Sequence, residues 1–193
     1  MKFCSDCGDK VSLEVPQGDN VLRHVCSTCG MIHYQNPNMV VGCLIEHDNK
    51  ILLCRRAIEP RYGLWTLPAG FMENGETTME AAQRETHEEA CAEVDLVQLF
   101  TMFSLPHINQ VYLLYRATLA GAGFAPGQES LEVELFDEAD IPWDQIAFPV
   151  IAESLKLYFR DRQAGHFSIH TGAMIKQDEA PPVFSVELLG EHG

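Results

Sequence analysis

Positive charge is scarce in this chain. Thirteen Lys and Arg stand against 28 Asp and Glu in 193 residues, a formal net charge of −15. Affinity for a nucleic-acid backbone comes from basic side chains that neutralise phosphates, so this balance argues against such a protein and predicts no nucleic-acid partner. Long apolar runs are also missing. No stretch approaches the roughly 20 residues that cross a bilayer, which predicts no membrane partner. The opening MKFCSDCGDK has no apolar leader segment, so the expected address is cytoplasmic. Internal repeats and low-complexity tracts are lacking too. What remains is a chain with 46% hydrophobic residues, enough for one full core and a small appendage. The acidic balance does not exclude a phosphorylated small substrate, because a bound metal can supply the opposing charge locally.

Four of the seven cysteines fall into two pairs, Cys4-x2-Cys7 and Cys26-x2-Cys29, with eighteen residues between them. Each pair makes a turn that aims two thiolates at one point, and two such turns complete a tetrahedron suited to Zn²⁺. Two disulfides are the alternative. Four thiolates leave no open coordination position, so the expected zinc is structural. His24 and His33 are spare imidazoles near these pairs, read as ordinary surface or strand residues. Cys43 and Cys54 lie in apolar strand patterns and read as packing residues. Residues 1–34 form the expected zinc ribbon. They are too few to bury a core, so metal should supply much of the folding free energy.

The most informative stretch runs from Gly70 to Ala92, GFMENGETTMEAAQRETHEEACA. A loop carries the isolated Glu76, and a helix from about Thr77 to Ala90, with Thr77 or Thr78 as N-cap, carries Arg84, Glu85, Glu88 and Glu89. Spacings of three and four place Glu85, Glu88 and Glu89 on one face. Like charges so placed repel. A divalent cation reverses that, and hard oxygen donors select Mg²⁺ or Mn²⁺. The other face, with Met79 and Ala82, is expected to meet the core.

Around this helix, MVVGCLIEH and KILLCRR read as strands joined by the hairpin pair Asp48-Asn49. VDLVQLFTMFSL, QVYLLYRATLA and Leu131–Phe136 read as further strands, and 148–162 as a second helix from the spacing of Val150, Ile151, Leu155 and Phe159. Strands, helix, strands, helix fits an α/β sandwich with a mixed sheet. Residues 35–165 are the expected main domain. Residues 166–193, with Pro181-Pro182, form a tail whose structure the pattern leaves open.

The spacing G-x5-E-x7-R-E-x-x-E-E from Gly70 to Glu89 resembles the Nudix box of the Nudix hydrolases. The approach Gly63-Leu64-Trp65-Thr66-Leu67-Pro68-Ala69-Gly70 resembles the family's W-x-x-P-G-G. The chain departs at Ala69, at Thr86 and Ala92, and at Cys91, where the box closes with a left-handed glycine. A cysteine in that conformation costs about 1 kcal/mol more unless the turn is built differently. The ribbon, Tyr34-Gln35-Asn36-Pro37, and Phe124-Ala125-Pro126-Gly127-Gln128-Glu129-Ser130-Leu131-Glu132 further resemble a ribbon-bearing subgroup with ADP-ribose and FAD pyrophosphatases.

The resemblance implies a Nudix α/β/α sandwich with a mixed sheet after the ribbon. It implies hydrolysis of the diphosphate linkage of a nucleoside diphosphate derivative, with ADP-ribose or FAD as leading substrate. Glu85, Glu88 and Glu89 are the implied Mg²⁺ or Mn²⁺ ligands and catalytic carboxylates, with the Gly70 carbonyl as a further ligand. Arg84 and Glu76 are implied to brace the loop by pairing with each other or with the ligands. Family members often supply a further carboxylate from a late loop, for which Glu129 is the first choice and Glu132 the second. By residue type, Arg55, Arg56 and Arg61 are candidates to bind phosphate, although strand alternation turns either Arg55 or Arg56 away. Phe71, Phe103 and Tyr112 are candidates to stack a ring. Homodimerisation is expected by analogy alone. Alternatives are an NADH pyrophosphatase or NAD-cap hydrolase, whose SQPWPFP-like stretch is not matched by Phe100-Thr101-Met102-Phe103-Ser104-Leu105-Pro106, and a non-catalytic nucleotide sensor or partner-binding module.

Overall fold

The computed structural model describes residues 1–121, 123–177 and 183–189. Two compact units divide the chain, Met1–Pro37 and Asn38–Gly193. In the first, β1 (Val11–Glu14), β2 (Arg23–Cys26) and β3 (Ile32–His33) form a small antiparallel sheet. Each cysteine pair ends in a glycine with positive φ, Gly8 at 81° and Gly30 at 75°. That conformation suits glycine and lets each glycine N–H reach back to the first cysteine's carbonyl, at 3.0 Å for Cys4 and 2.9 Å for Cys26. The two turns bring the four Sγ atoms within 4.8 Å of one another. Cys4 and Cys29 stand 3.7 Å apart, and Cys7 and Cys26 3.4 Å. A tetrahedron with Zn–S bonds near 2.3 Å has edges of about 3.8 Å, so the donor set and its spacing fit a structural Zn²⁺. His33 Nε2 lies beside the cluster, 3.3 Å from Cys4 Sγ, whereas His24 Nε2 lies 3.5 Å from the N-terminal amine.

The second unit is built on a mixed sheet. Its strands are β4 (Asn38–His47), β5 (Lys50–Arg56), β6 (Trp65–Thr66), β7 (Ala69–Phe71), β8 (Val94–Leu105), β9 (Gln110–Leu119), β10 (Ser130–Phe136), β11 (His170–Lys176) and β12 (Phe184–Leu188). The order is β10-β5-β4-β9-β8-β11-β12, with β6 on β5 and β7 on β4. β4 runs parallel to β9 and β8 parallel to β11; the other pairs are antiparallel. Asp48 and Asn49 turn β4 into β5 with φ of 49° and 64°, the left-handed pair that a two-residue hairpin requires.

A helix covers each face, which makes the three layers. Val41, Cys43, Ile45, Leu52 and Cys54 point to α1 (Thr78–Ala90), where Ala81, Ala82 and Ala90 meet them. Leu44, Ile51, Leu53, Phe100 and Leu114 point the other way, to Val150, Ile151, Leu155 and Tyr158 of α2 (Pro149–Ala164). Both faces being covered explains why β4 and β5 read as unbroken apolar runs. Burial pushes the Cys43 thiol up to about 11, as for a packing residue. Met79 departs from expectation. It is 52% exposed, and Ala81, Ala82, Thr86 and Ala90 supply the apolar inner face of α1. Beyond Gly165 the chain adds β11 to the sheet beside β8 and folds back as β12; residues 178–182 and 190–193 of that stretch, Pro181-Pro182 included, lie outside the described residues. Among the described residues no helix is long and apolar enough to cross a membrane.

Candidate active site

The ends of α1 are strongly determined. Thr77 caps it, accepting from Glu80 N at 3.2 Å, while Glu80 accepts from Thr77 N at 2.7 Å. This reciprocal pair satisfies two otherwise free N–H groups. At the other end Cys91 takes the left-handed conformation, φ 47° and ψ 30°, with its N–H on the His87 carbonyl. The turn therefore has the shape glycine favours, held here by a residue with a side chain. Thr86 is fully buried and donates its hydroxyl to Ala82 O at 2.8 Å, and Ala92 is buried as well.

Arg84 organises the polar face. Its guanidinium donates to Glu76 at 2.7 and 3.0 Å, to Glu85 at 2.7 Å, to Glu88 at 3.1 Å and to the Phe71 carbonyl at 3.1 Å. Both alternatives read from the resemblance hold at once, because Arg84 pairs with Glu76 and with two of the proposed ligands. Glu76 also accepts from Glu73 N, and Arg84 with this N–H holds its carboxyl at about 2. The loop is thereby fastened to the helix.

Glu85 and Glu89 are buried, whereas Glu88 is exposed. Gly70 lies against Glu85; a Cβ there would stand 2.2 Å from Oε2. Ala69 N donates to Glu89 at 3.2 Å. Burial, reinforced by Glu85 and Glu129, pushes the Glu89 carboxyl up to about 8 against the opposing pull of Ala69 N–H and Arg56. Burial likewise raises Glu85, with Arg84 opposing and Glu88 and Glu129 adding to the rise. Among the described residues the four cysteines are the only group with three or more ligand atoms at metal-binding spacing. The box glutamates share a face but not that spacing, because Arg84 draws Glu85 and Glu88 while Ala69 holds Glu89. A site of hard oxygen donors, two of them in buried glutamates, fits a divalent cation.

Glu129 reaches this site through backbone contacts. Ala125 N and Gly127 N donate to the Ala90 and Glu89 carbonyls at 2.8 and 3.0 Å, so the loop caps the end of α1. Ala57 N then takes the Glu129 carbonyl at 2.8 Å. The register of β10 against β5 shifts between Ser130 and Glu132, beside the same point, a common position for a bulge.

These groups line a cleft of about 1450 Å³ with Arg56, Arg61, Phe71 and Tyr112. Arg56 donates to Pro60 O at 2.9 Å and lies 5.1 Å over the Phe148 ring. Arg55 is the one strand alternation turns away. It donates to Gly63 O at 2.9 Å and pairs with Glu132 at 3.1 Å, which takes both Arg55 and the second-choice carboxylate out of the site. Phe103 is fully buried core. Phe148, Leu105, His107, Ile108, Met174 and Phe184 also line the cleft and were not singled out by sequence; Met174 and Phe184 lie in the tail whose structure the pattern leaves open.

A family model described as the NUDIX domain matches residues 36–155, and one described as Nudix N-terminal matches residues 2–35. The chain belongs to the Nudix family. A crystal structure of a NUDIX hydrolase from Nitrosomonas europaea is 55% identical with a TM-score of 0.87, covering 90% of this Nudix chain and 98% of that one. An ADP-ribose pyrophosphatase from Methanocaldococcus jannaschii is 34% identical over 56% of this chain and 67% of its own length. An NAD-capped RNA hydrolase NudC from Vibrio atlanticus is 29% identical over 74% of this chain. This Nudix chain spans only 51% of that relative's length. Nudix enzymes use a divalent metal, and the ribbon adds a structural zinc site.

Proposed function

We propose that this protein hydrolyses the diphosphate linkage of a nucleoside diphosphate derivative to two monophosphates, with ADP-ribose or FAD favoured. The observation that carries this reading is the gathering of Glu85, Glu88, Glu89 and Glu129 at one cleft, with buried Glu89 raised to about 8. Glu85, Glu88 and Glu89, with the Gly70 carbonyl, are the residues to hold Mg²⁺ or Mn²⁺. A bound ion of this kind supplies Lewis-acid stabilisation of phosphoryl charge and acidifies water. Glu129 accepts the proton of the attacking water at its carboxylate. Arg56 and Arg61 hold diphosphate oxygens, Arg56 pre-oriented by Pro60 and Phe148. Phe71, 55% exposed on the strand beside Gly70, offers a ring face to the substrate. Water adds to one phosphorus, the bridging P–O bond breaks, and the second phosphate leaves with the electron pair; no covalent enzyme intermediate forms.

A second reading, NADH or NAD-cap hydrolysis, draws support from the NudC relative, while the net charge of −15 weighs against an RNA substrate. Purified protein with Mg²⁺ is expected to release AMP from ADP-ribose or FAD faster than from NADH. Glu88→Gln and Glu89→Gln should each abolish turnover and leave a cooperative melt. An order headed by NADH replaces the substrate choice. No turnover of any of the three leaves a nucleotide sensor.

A further inference from the structure

The cleft has two unlike ends, and sheet order separates them. Arg56 ends β5, and Arg61 belongs to the loop that follows it, next to β10. On the other side of β4 lie β9, β8, β11 and β12. That end is walled by Tyr112 and Ile108, His107 from the turn between β8 and β9, Met174 of β11 and Phe184 of β12. His107 and Phe184 form a ring pair, with centroids 5.3 Å apart and planes tilted by 51°. Phe184 is half-buried, its inner side packed on the core. Tyr112 pairs in register with Val40, which pairs with Phe71. With strands about 4.8 Å apart, the ring wall therefore stands beside the metal loop. Met174 and Phe184 both lie outside the 36–155 stretch that the Nudix model matches.

We propose that this wall is a specificity subsite that seats the planar ring of a nucleoside, with Phe184 as its principal face. The proposal rests on the diphosphate hydrolysis described above. An arginine-lined end suits oxyanions. An end with three rings, two aliphatic side chains and no lysine or arginine suits an uncharged flat ring, which gains by stacking. A diphosphate held between them at the glutamates would direct its nucleoside towards Phe184. The substrate class is then a nucleoside diphosphate derivative read through its base, in preference to a diphosphate of a bare sugar.

The test uses the full chain with Mg²⁺ and compares AMP with ribose 5-phosphate as competitive inhibitors, one with a ring and one without. Phe184→Ala should raise the inhibition constant of AMP and the KM of ADP-ribose about ten-fold, leave kcat within a factor of about two, and leave ribose 5-phosphate inhibition unchanged. Phe184→Tyr, which keeps the ring, should restore wild-type values. If Phe184→Ala does not fold, Phe184→Leu keeps most of the apolar volume and should still weaken AMP selectively. A folded, active variant with unaltered AMP inhibition overturns the subsite, as does an equal loss for AMP and ribose 5-phosphate. Absence of turnover in the wild type, with AMP still bound in a Phe184-dependent way, would refute the hydrolase reading and spare the subsite.

Discussion

Among the described glycines, Gly127 is where an added methyl group would meet its nearest neighbour at the shortest distance. A Cβ there would stand 1.7 Å from the Glu88 carbonyl oxygen and 2.8 Å from its carbon, both backbone atoms of α1. An ordinary contact begins near 3.4 Å, so the separation must double, and no side chain can rotate away to provide it. The loop must retreat. Its bonds to the Glu89 and Ala90 carbonyls, at 3.0 and 2.8 Å, stretch with it. Overpacking costs about 1–3 kcal/mol, and each weakened bond about 1 kcal/mol. We expect Gly127→Ala to lose about 3 kcal/mol, which lowers Tm by about 6–12 °C for a chain of this size. The retreat also carries Glu129 away, and a displacement of about 1 Å can cost about 100-fold in rate. Urea denaturation and Mg²⁺-dependent AMP release from ADP-ribose measure the two effects. Glu129→Gln is the partner experiment, with a comparable loss of rate at wild-type stability. A Gly127→Ala protein with the wild-type midpoint and rate would refute both the packing argument and the delivery of Glu129 by this loop.

Glu89 predicts a pH dependence. Its folded carboxyl is raised from the usual 4.5 to about 8, so the stability it lends is complete below the unfolded value and is lost as pH rises through about 8. In chelator, melts should fall over that window by an amount of order a few kcal/mol, and Glu89→Gln should flatten the profile; a parallel fall in the variant rejects the assignment. Cys91→Gly removes a side chain from a left-handed position and should gain about 1 kcal/mol, whereas Cys91→Ala should not, as denaturant midpoints will show. Cys26→Ser should lower zinc content and the first unit's thermal stability without changing kcat; a pure rate loss at unchanged stability rejects the structural role of that metal.

Local chemistry made much of this molecule readable. Asp48-Asn49 signals its own turn, the unbroken apolar runs of β4 and β5 mark them as strands, and i, i+3, i+4 spacing puts the three glutamates on one side of α1. Thr77-x-x-Glu80 also carried a capping box that distinguishes Thr77 from Thr78 as the cap. Features that depend on distant partners were less legible. β11 owes its place to parallel pairing with β8, about 70 residues earlier in the chain, and nothing within HTGAMIK announces it. Alternation showed that Arg55 or Arg56 turns away, but Glu132 across the sheet decides which. Phe103 and Tyr112 are cross-strand neighbours that share one face of the sheet and one core cluster, yet Phe103 is fully buried while Tyr112 also lines the cleft, a distinction of place within that face that the sequence pattern does not carry. Met79 failed as a core residue because the small side chains Ala81, Ala82, Thr86 and Ala90 fill the buried side of α1.

Arg84 gives the box a built-in counterion. One guanidinium bridges the loop and two turns of α1, so the scaffold around the glutamates is cross-braced by the polypeptide itself. If Glu85 and Glu88 hold the metal as proposed, recruiting Mg²⁺ is an exchange in which the ion draws them from Arg84, and the Arg84–Glu76 pair is left to hold the helix to the loop. Among the described residues no arginine is paired with the ribbon's four thiols, whose ring neighbour is His33 at Cys4. A mild chelator should therefore silence the enzyme reversibly, whereas a thiophilic one should dismantle a fold.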